Sequence, residues 1–271
     1  FAAIKFGVNE IPPLLLTAER FALAAIPAVF FLPRPPVQWR IIAGFGFILG
    51  VVKFSALFLA IKMGMPTGLS AVVIQTQVFF TILVAALVFR ERPSRLQLIG
   101  AALAFSGVTV IAFSKSAGAP LLPFLTVLFA ALCWASANMV AKAAGRVDML
   151  AFSVWSCLIP PIPLLVLSLI FEGPEAIGRA LVSPSWLAWG SLIYMAYGAT
   201  LFGFSFWNHL LSRYPTAAVA PFALLVPVIG LITGALVFDE PMPPSVIAGA
   251  ALVLFGLAVN VFGARLFALL R

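Results

Sequence analysis

The chain has 271 residues, of which 63% are hydrophobic and 9% charged, against about 45–50% and 25% for an average soluble domain. The apolar residues are spread along the whole length, which excludes a soluble fold and points to a polytopic membrane protein. A net charge of +8 and a pI near 10.2 would suit a nucleic-acid partner in a soluble chain, but here the basic residues lie between apolar runs, where topology signals lie.

Phe1 to Gly7 is apolar but too short to cross a hydrocarbon core, which needs about 20 helical residues. It reads as the end of a helix begun before this chain, not as a signal sequence. The runs that follow are 13–32, 41–61, 68–89, 96–114, 121–141, 150–171, 186–211, 217–238 and 246–262. Each has the length of a spanning helix. None alternates as the strands of a membrane barrel do. With the stub they predict an all-α membrane protein of ten transmembrane helices. The connections are short and carry turn residues, such as Pro33-Arg34-Pro35-Pro36 and Arg92-Pro93-Ser94. Cys133 and Cys157 fall inside apolar runs and read as buried thiols rather than a disulfide or a metal site.

Short connections make neighbouring helices antiparallel, so positive charge can be counted by side. One set of loops with the C-terminus holds Arg34, Arg40, Arg90, Arg92, Arg95, Lys142, Arg146, Arg213, Arg265 and Arg271. The other holds only Lys5, Lys62, Lys115 and Arg179. The positive-inside rule places the first set, and with it both termini, in the cytoplasm; the expected location is a bacterial inner membrane.

Met65–Phe113 recurs without a gap 149 positions later at Tyr214–Phe262. Pro66-Thr67 falls on Pro215-Thr216, Ala86–Phe89 on Ala235–Phe238, Glu91 on Glu240, Gly100–Leu103 on Gly249–Leu252 and Gly107 on Gly256. A duplicated bundle is how many secondary transporters are built, with substrate held between the repeats. Five helices per copy is an odd number, so the expected architecture is two inverted five-helix repeats. The first covers residues 1–117, with its first helix incomplete, and the second covers 118–271.

Several motifs in this order resemble the drug/metabolite transporter superfamily, and within it the EamA-type exporters. They are Trp134-x-x-x-Asn138-x-x-x-Lys142, the stretch Gly64-Met65-Pro66-x-Gly68-Leu69 running on to Gln75-x-Gln77-x-Phe79-Phe80-Thr81, Phe89-x-Glu91-Arg92, and Ala220-Pro221-x-x-Leu224-x-Val226-Pro227-Val228. The resemblance covers the whole chain. It implies ten helices, a central cavity and export of amino acids or related small metabolites, with the nearest likeness to exporters of cysteine-like or aromatic amino acids. The start of the first helix is absent, so any substrate contact there is unreadable.

Polar groups inside a bilayer cost about 2.5–3.5 kcal/mol for a central charge on insertion scales, so each needs a reason. Glu19 and Arg20 are adjacent and point about 100° apart, so they do not simply pair. Each either bonds to a neighbouring helix, with Arg20 free to snorkel, or serves substrate and proton handling, with Glu19 as the coupling carboxylate. Lys53, midway along its helix, either meets a substrate carboxylate or forms a buried ion pair. Gln75, Gln77 and Thr81 either bond between helices at about 0.6 kcal/mol each or touch substrate. Their repeat partners Leu224 and Val226 show that packing alone needs no amide there. Trp134 and Asn138 share a face one turn apart. Trp155 and Tyr197 lie deep enough to wall a cavity, beside Ser156 and Thr200, whereas Trp186 and Trp189 fit an interfacial belt. His209, the only histidine, reads as a surface or packing residue. Pro160, Pro161, Pro163, Pro221 and Pro227 each remove a backbone donor and kink their helices, giving hinges.

These features predict a secondary transporter that exports amino acids or related metabolites by alternating access, without a cofactor. A nucleotide-sugar or drug carrier on the same scaffold is the alternative within transport. An intramembrane lipid enzyme lacks the clustered acids or histidines its chemistry needs. No GxxxxGK[ST] stretch is present, so ATP is not the direct energy source. The expected partners are a small-molecule substrate and membrane lipid, with no nucleic acid. The sequence leaves the oligomeric state open, a monomer included.

Overall fold

In lipid a spanning segment must satisfy its own backbone, which leaves helices or closed barrels, and among the described residues only helices and turns occur. The computed structural model describes every residue except 115–117, 146, 183, 215–218 and 270–271, and describes no side chain at 204, 208, 211, 212, 220, 221 or 263–269. Lys115, Arg146, Pro215, Thr216 and Arg271, counted above for charge or repeat, therefore lie outside the described residues, as do the side chains of Pro221 and Arg265.

Among the described residues seven helices are long and apolar enough to cross a membrane: Trp39–Lys62, Thr67–Phe89, Arg95–Phe113, Leu121–Ala143, Met149–Phe171, Trp186–Trp207 and Pro244–Phe262. An eighth arises if α1 (Ala2–Glu10) and α2 (Pro13–Val29), bent by 119° at Ile11-Pro12, count as one span. The run expected at 217–238 gives a shorter apolar helix, Phe222–Phe238. Large apolar side chains on these spans, such as Leu87, Leu98, Ile170 and Leu187, are exposed. On a soluble domain this would mark a sticky surface; on a spanning helix it suits a lipid-facing side.

Several spans are not uniform α-helix. Trp39–Lys62 runs as α3 (Trp39–Gly46), a π-helical segment Phe47–Phe54 and α4 (Ser55–Lys62). Thr67–Phe89 runs as α5 (Thr67–Val73), a 3₁₀ turn Ile74–Thr76 and α6 (Gln77–Phe89). After α7 (Arg95–Phe113) and α8 (Leu121–Ala143), the next span breaks between α9 (Met149–Ser156) and α10 (Pro161–Phe171). The short α11 (Pro174–Val182) leads to α12 (Trp186–Ile193), a π-helical segment Tyr194–Phe202 and α13 (Gly203–Arg213). A 3₁₀ turn Ala220–Leu224 opens α14 (Leu225–Phe238), and α15 (Pro244–Leu269) closes the chain.

Two compact units form, and each draws on both halves of the sequence. One comprises Phe1, Gly64–Ala135 and Tyr214–Arg271; the other comprises Ala2–Met63 and Ser136–Arg213. In the first, α7 and α15 pack along their length as an antiparallel pair. A Cβ added at Gly100 would lie 2.7 Å from the Gly256 carbonyl oxygen, and one added at Gly249 would lie 2.8 Å from that of Gly107. Backbones this close require glycine, and small-residue contact of this kind drives helix association in lipid. Ser114 and Ser245 share a hydrogen bond of 2.6 Å at one end of the pair. The same unit holds the start of α5 with a remote carboxylate: Glu240 accepts from Thr67 N at 2.6 Å, Thr67 Oγ1 at 2.9 Å and Gly68 N at 2.8 Å. These are orphan donors of a helix N-terminus.

Carboxylates play the same part in the second unit. Glu172 accepts from Leu14 N and Leu15 N at 2.7 and 3.1 Å, capping α2, and is held by Ser168 Oγ at 2.6 Å. Glu10 accepts from Ser185 N and Oγ before α12. Lys62 Nζ donates to the Val8 carbonyl at 2.6 Å near the end of α1. Apolar clusters fill the interior, among them Ile42, Phe45, Ala137 and Phe152, and Phe21, Ala25 and Cys157.

The 149-residue period of the sequence recurs in the backbone. Arg90 and Asp239, 149 positions apart, are the two non-glycine residues with positive φ among those described, at 55° and 50°. Helices α7 and α15 begin at residues 95 and 244, also 149 apart. Shifted by that period, the π-helical segment Phe47–Phe54 lands on 196–203 and overlaps Tyr194–Phe202.

Candidate functional site

Helix α2 is apolar except for Thr17, Glu19 and Arg20. Thr17 Oγ1 returns its proton to the Pro13 carbonyl at 2.6 Å, which removes it from longer-range chemistry. Glu19 is half-buried, whereas Arg20 is only 7% exposed. The Arg20 guanidinium does not snorkel. Its Nη2 donates to Thr200 Oγ1 at 3.1 Å, and its central carbon lies 4.1 Å from the Phe54 ring centroid, 5.4 Å from Phe21 and 6.0 Å from Phe58. A cation over aromatic faces regains part of its lost hydration. Its Nε, however, is buried with no hydrogen-bond partner.

Lys53 is 2% exposed at the end of the first π-helical segment, with Nζ 3.4 Å from the centroid of the Phe54 ring. Two buried cations therefore address one aromatic ring. Thr200 sits in the second π-helical segment and donates to the Met195 carbonyl five residues back at 2.8 Å. π-Helical turns expose backbone and side chains that an α-helix would bury, and they recur at functional sites.

Beside Arg20 lies a small hollow of about 20 Å³ lined by Arg20, Phe21, Phe45, Phe54, Ser153, Ser156, Cys157, Pro160 and Thr200, with Leu49 and the glycines Gly46 and Gly50. That is room for roughly one water. Ser156 is 2% exposed and its Oγ, like Arg20 Nε, is buried without a partner. Gly46 and Gly50 admit the turn between α9 and α10: a Cβ on the first would meet the Ser156 carbonyl and Ile159, and one on the second would collide with Pro160.

The remaining expected residues are distributed as follows. Gln75 is buried in the 3₁₀ turn, Gln77 is half-buried, and Thr81 Oγ1 donates to the Gln77 carbonyl at 2.7 Å. Trp134 and Asn138 are half-buried on α8. Trp155 Nε1 donates to the Leu32 carbonyl at 3.1 Å, and its ring meets Trp39 edge-on at 5.9 Å. Tyr197 is 38% exposed. Pro160 and Pro161 stand at the break between α9 and α10, Pro163 in the first turn of α10, Pro221 in a 3₁₀ turn and Pro227 near the start of α14. Lys53, Glu19, Trp155, Tyr197 and Asn138 belong to one unit; Gln75, Gln77, Thr81 and Trp134 belong to the other. Larger hollows of about 600 Å³, around Val51 and Leu167, and about 370 Å³, around Leu231 and Leu254, contain none of the expected substrate residues.

Sequence reasoning left Arg20 between bonding to a neighbouring helix, snorkelling, and substrate or proton handling, and treated Ser156 and Thr200 only as parts of a wall. One signal was available: positions 16, 17, 23 and 24, one turn either side of Arg20, are Leu, Thr, Leu and Ala, so no acid stands one turn away on its own helix to pair with it.

The sequence model of the EamA-like transporter family matches residues 1–113 and 121–262. A protein of Salmonella typhimurium named "Probable amino-acid metabolite efflux pump" is 42% identical over 98% of this chain and 91% of its own length. One of the same name from Escherichia coli matches to the same extent. A "Probable terminal-alkyne amino-acid exporter" of Streptantibioticus cattleyicolor is 24% identical over 93% of this chain and 83% of its own. A solved structure titled "Crystal structure of protein" superposes with a TM-score of 0.67 over 98% of this chain and 93% of its own, at 20% identity, which shows a shared fold.

Proposed function

Because this chain belongs to the EamA-like transporter family, we propose that it exports amino acids or closely related zwitterions by alternating access. It is a multi-pass membrane transporter of small metabolites and not an enzyme. The observation that carries the finer reading is the 42% identity, across 98% of the chain, to relatives named for amino-acid metabolite efflux. The buried cations of one unit suit the carboxylate end of such a solute.

The architecture behind this function is ten helices in two inverted repeats, residues 1–117 and 118–271. Three features support the inversion: the 149-residue period shared by Arg90 and Asp239, the matching starts of α7 and α15, and the reciprocal contacts of Gly100 with Gly256 and Gly107 with Gly249. Gly249 and Gly256 are the repeat mates of Gly100 and Gly107, so each member of one pair meets the mate of the other. An antiparallel pair with that property has a local two-fold axis across the helices. Both termini lie in the cytoplasm of a bacterial inner membrane, as the charge asymmetry directs.

In this scheme Lys53, Gln75, Gln77, Thr81, Trp134, Asn138, Trp155 and Tyr197 contact substrate along its path, and Glu19 exchanges the coupling proton. The turns at Pro160, Pro161, Pro163, Pro221 and Pro227 serve as hinges. The test is uptake of a panel of labelled amino acids by proteoliposomes, with and without a pH gradient. Accumulation of one subset, reduced in Lys53→Ala and Gln77→Ala, is the expected result. Absence of flux for every amino acid would move the substrate to another class of metabolite.

A further inference from the structure

The hollow beside Arg20 has the properties of an unfinished anion site. Arg20 and Ser156 both line it, both are more than nine-tenths buried, and each has a buried polar atom without a partner, Nε and Oγ. A buried cation is retained at acceptable cost only when it is paired and hydrogen-bonded. What Arg20 has is one neutral hydroxyl and three aromatic faces. Lys53, on the same Phe54 ring, adds a second positive charge nearby. The positive potential is thus concentrated where two donors stand open.

We propose that this pocket receives the carboxylate of the transported solute. Arg20 is its charge partner, Ser156 Oγ a second donor, and Thr200 the brace that orients the guanidinium. The proposal rests on the amino-acid reading above. A guanidinium presents donors in a planar fork that matches a carboxylate, and charge-assisted bonds of this kind are the strong ones. The space of about 20 Å³ admits one oxygen-sized group. One carboxylate oxygen can occupy it. Its second oxygen requires the 157–160 turn to give way, and that turn is held by single-turn hydrogen bonds, such as Ile159 N to Ser156 O at 3.2 Å, rather than by a continuous helix.

Proteoliposomes loaded with purified protein test this. For whichever amino acid of the panel is carried, its flux is challenged with the unlabelled amino acid, its carboxamide and its decarboxylated amine. Losing a charge-assisted pair should make the carboxamide and the amine weaker competitors by about 10- to 100-fold in the unmodified protein. In Arg20→Gln that preference should vanish, and in Ser156→Ala it should shrink by about fivefold. Ser156→Ala removes an unpartnered hydroxyl, so its unfolding temperature should not fall. A purely structural serine would show the reverse pattern. If the carboxamide competes as well as the amino acid, or if both variants keep the full preference, the proposal is overturned.

A second readout separates this from the amino-acid reading. The thermal stability of the detergent-purified protein is measured with sodium acetate, sodium chloride and acetamide. Stabilisation by acetate alone, lost in Arg20→Gln and Ser156→Ala, supports the pocket even if no amino acid is carried. Equal responses to acetate and chloride count against it.

Discussion

At the scale of single residues, acids and a base at the helix ends finish helices remote from them in sequence. Glu240, Glu172 and Glu10 each accept backbone protons at or before a helix start more than 150 residues away, and Lys62 donates near the end of α1. A carboxylate at a helix N-terminus satisfies orphan amides and opposes the helix dipole. Replacing Glu240 with Ala leaves Thr67 N and Gly68 N without that acceptor. Thermal unfolding in detergent should show a loss of about 1–2 kcal/mol; an unchanged midpoint would mean that water serves as well. Glu19 makes a different prediction. As the half-buried acid of α2, it is the group assigned to proton coupling. Glu19→Gln should abolish flux driven by a pH gradient while sparing exchange of labelled for unlabelled substrate. Gradient-driven flux at the normal rate would remove Glu19 from the mechanism. The backbone groups that Glu240, Glu172, Glu10 and Lys62 bond could not be read from the chain, because they are remote in sequence.

At the scale of elements, the breaks matter more than the helices. Proline content led to expected kinks at Pro160, Pro161, Pro163, Pro221 and Pro227; one helix ends at Ser156 and the next starts at Pro161, Ala220–Leu224 is a 3₁₀ turn, and Pro227 lies inside α14. Two π-helical segments, Phe47–Phe54 and Tyr194–Phe202, contain no proline and carry Lys53, Phe54 and Thr200. Hydropathy does not distinguish a π turn from an α turn, so their positions were invisible until the helices were packed. The glycines of α7 and α15 are readable in spacing but not in partner. Gly107→Val should disrupt this pair, seen as loss of the monodisperse peak in gel filtration, because its new atoms would meet the Gly249 backbone. The control is Gly190→Ala, a helical glycine with nothing within 4 Å of an added Cβ, which should be neutral. Equal behaviour of the two variants would deny the crossing its role.

At the scale of the whole molecule, orientation is the next quantity to measure. Single cysteines at Arg92 and Arg179, in a background with Cys133 and Cys157 replaced, should label oppositely. A membrane-impermeant maleimide applied to intact cells should modify position 179 and not 92; the reverse pattern would invert the assigned topology. Membrane residence and the all-helical character were legible in the amino-acid order. They depend on hydropathy and length, which the bilayer thickness reads one segment at a time. Lys53, Gln75 and Gln77 stood out for the same reason, as polar groups at membrane depth. The pocket beside Arg20 was not legible. Its members Arg20 and Thr200 lie 180 positions apart, and whether a buried arginine meets a hydroxyl, an aromatic ring or lipid depends on helix rotation and on where π turns re-aim side chains. Only the packed structure sets those angles, because they follow from contacts between helices and not from the character of any one of them.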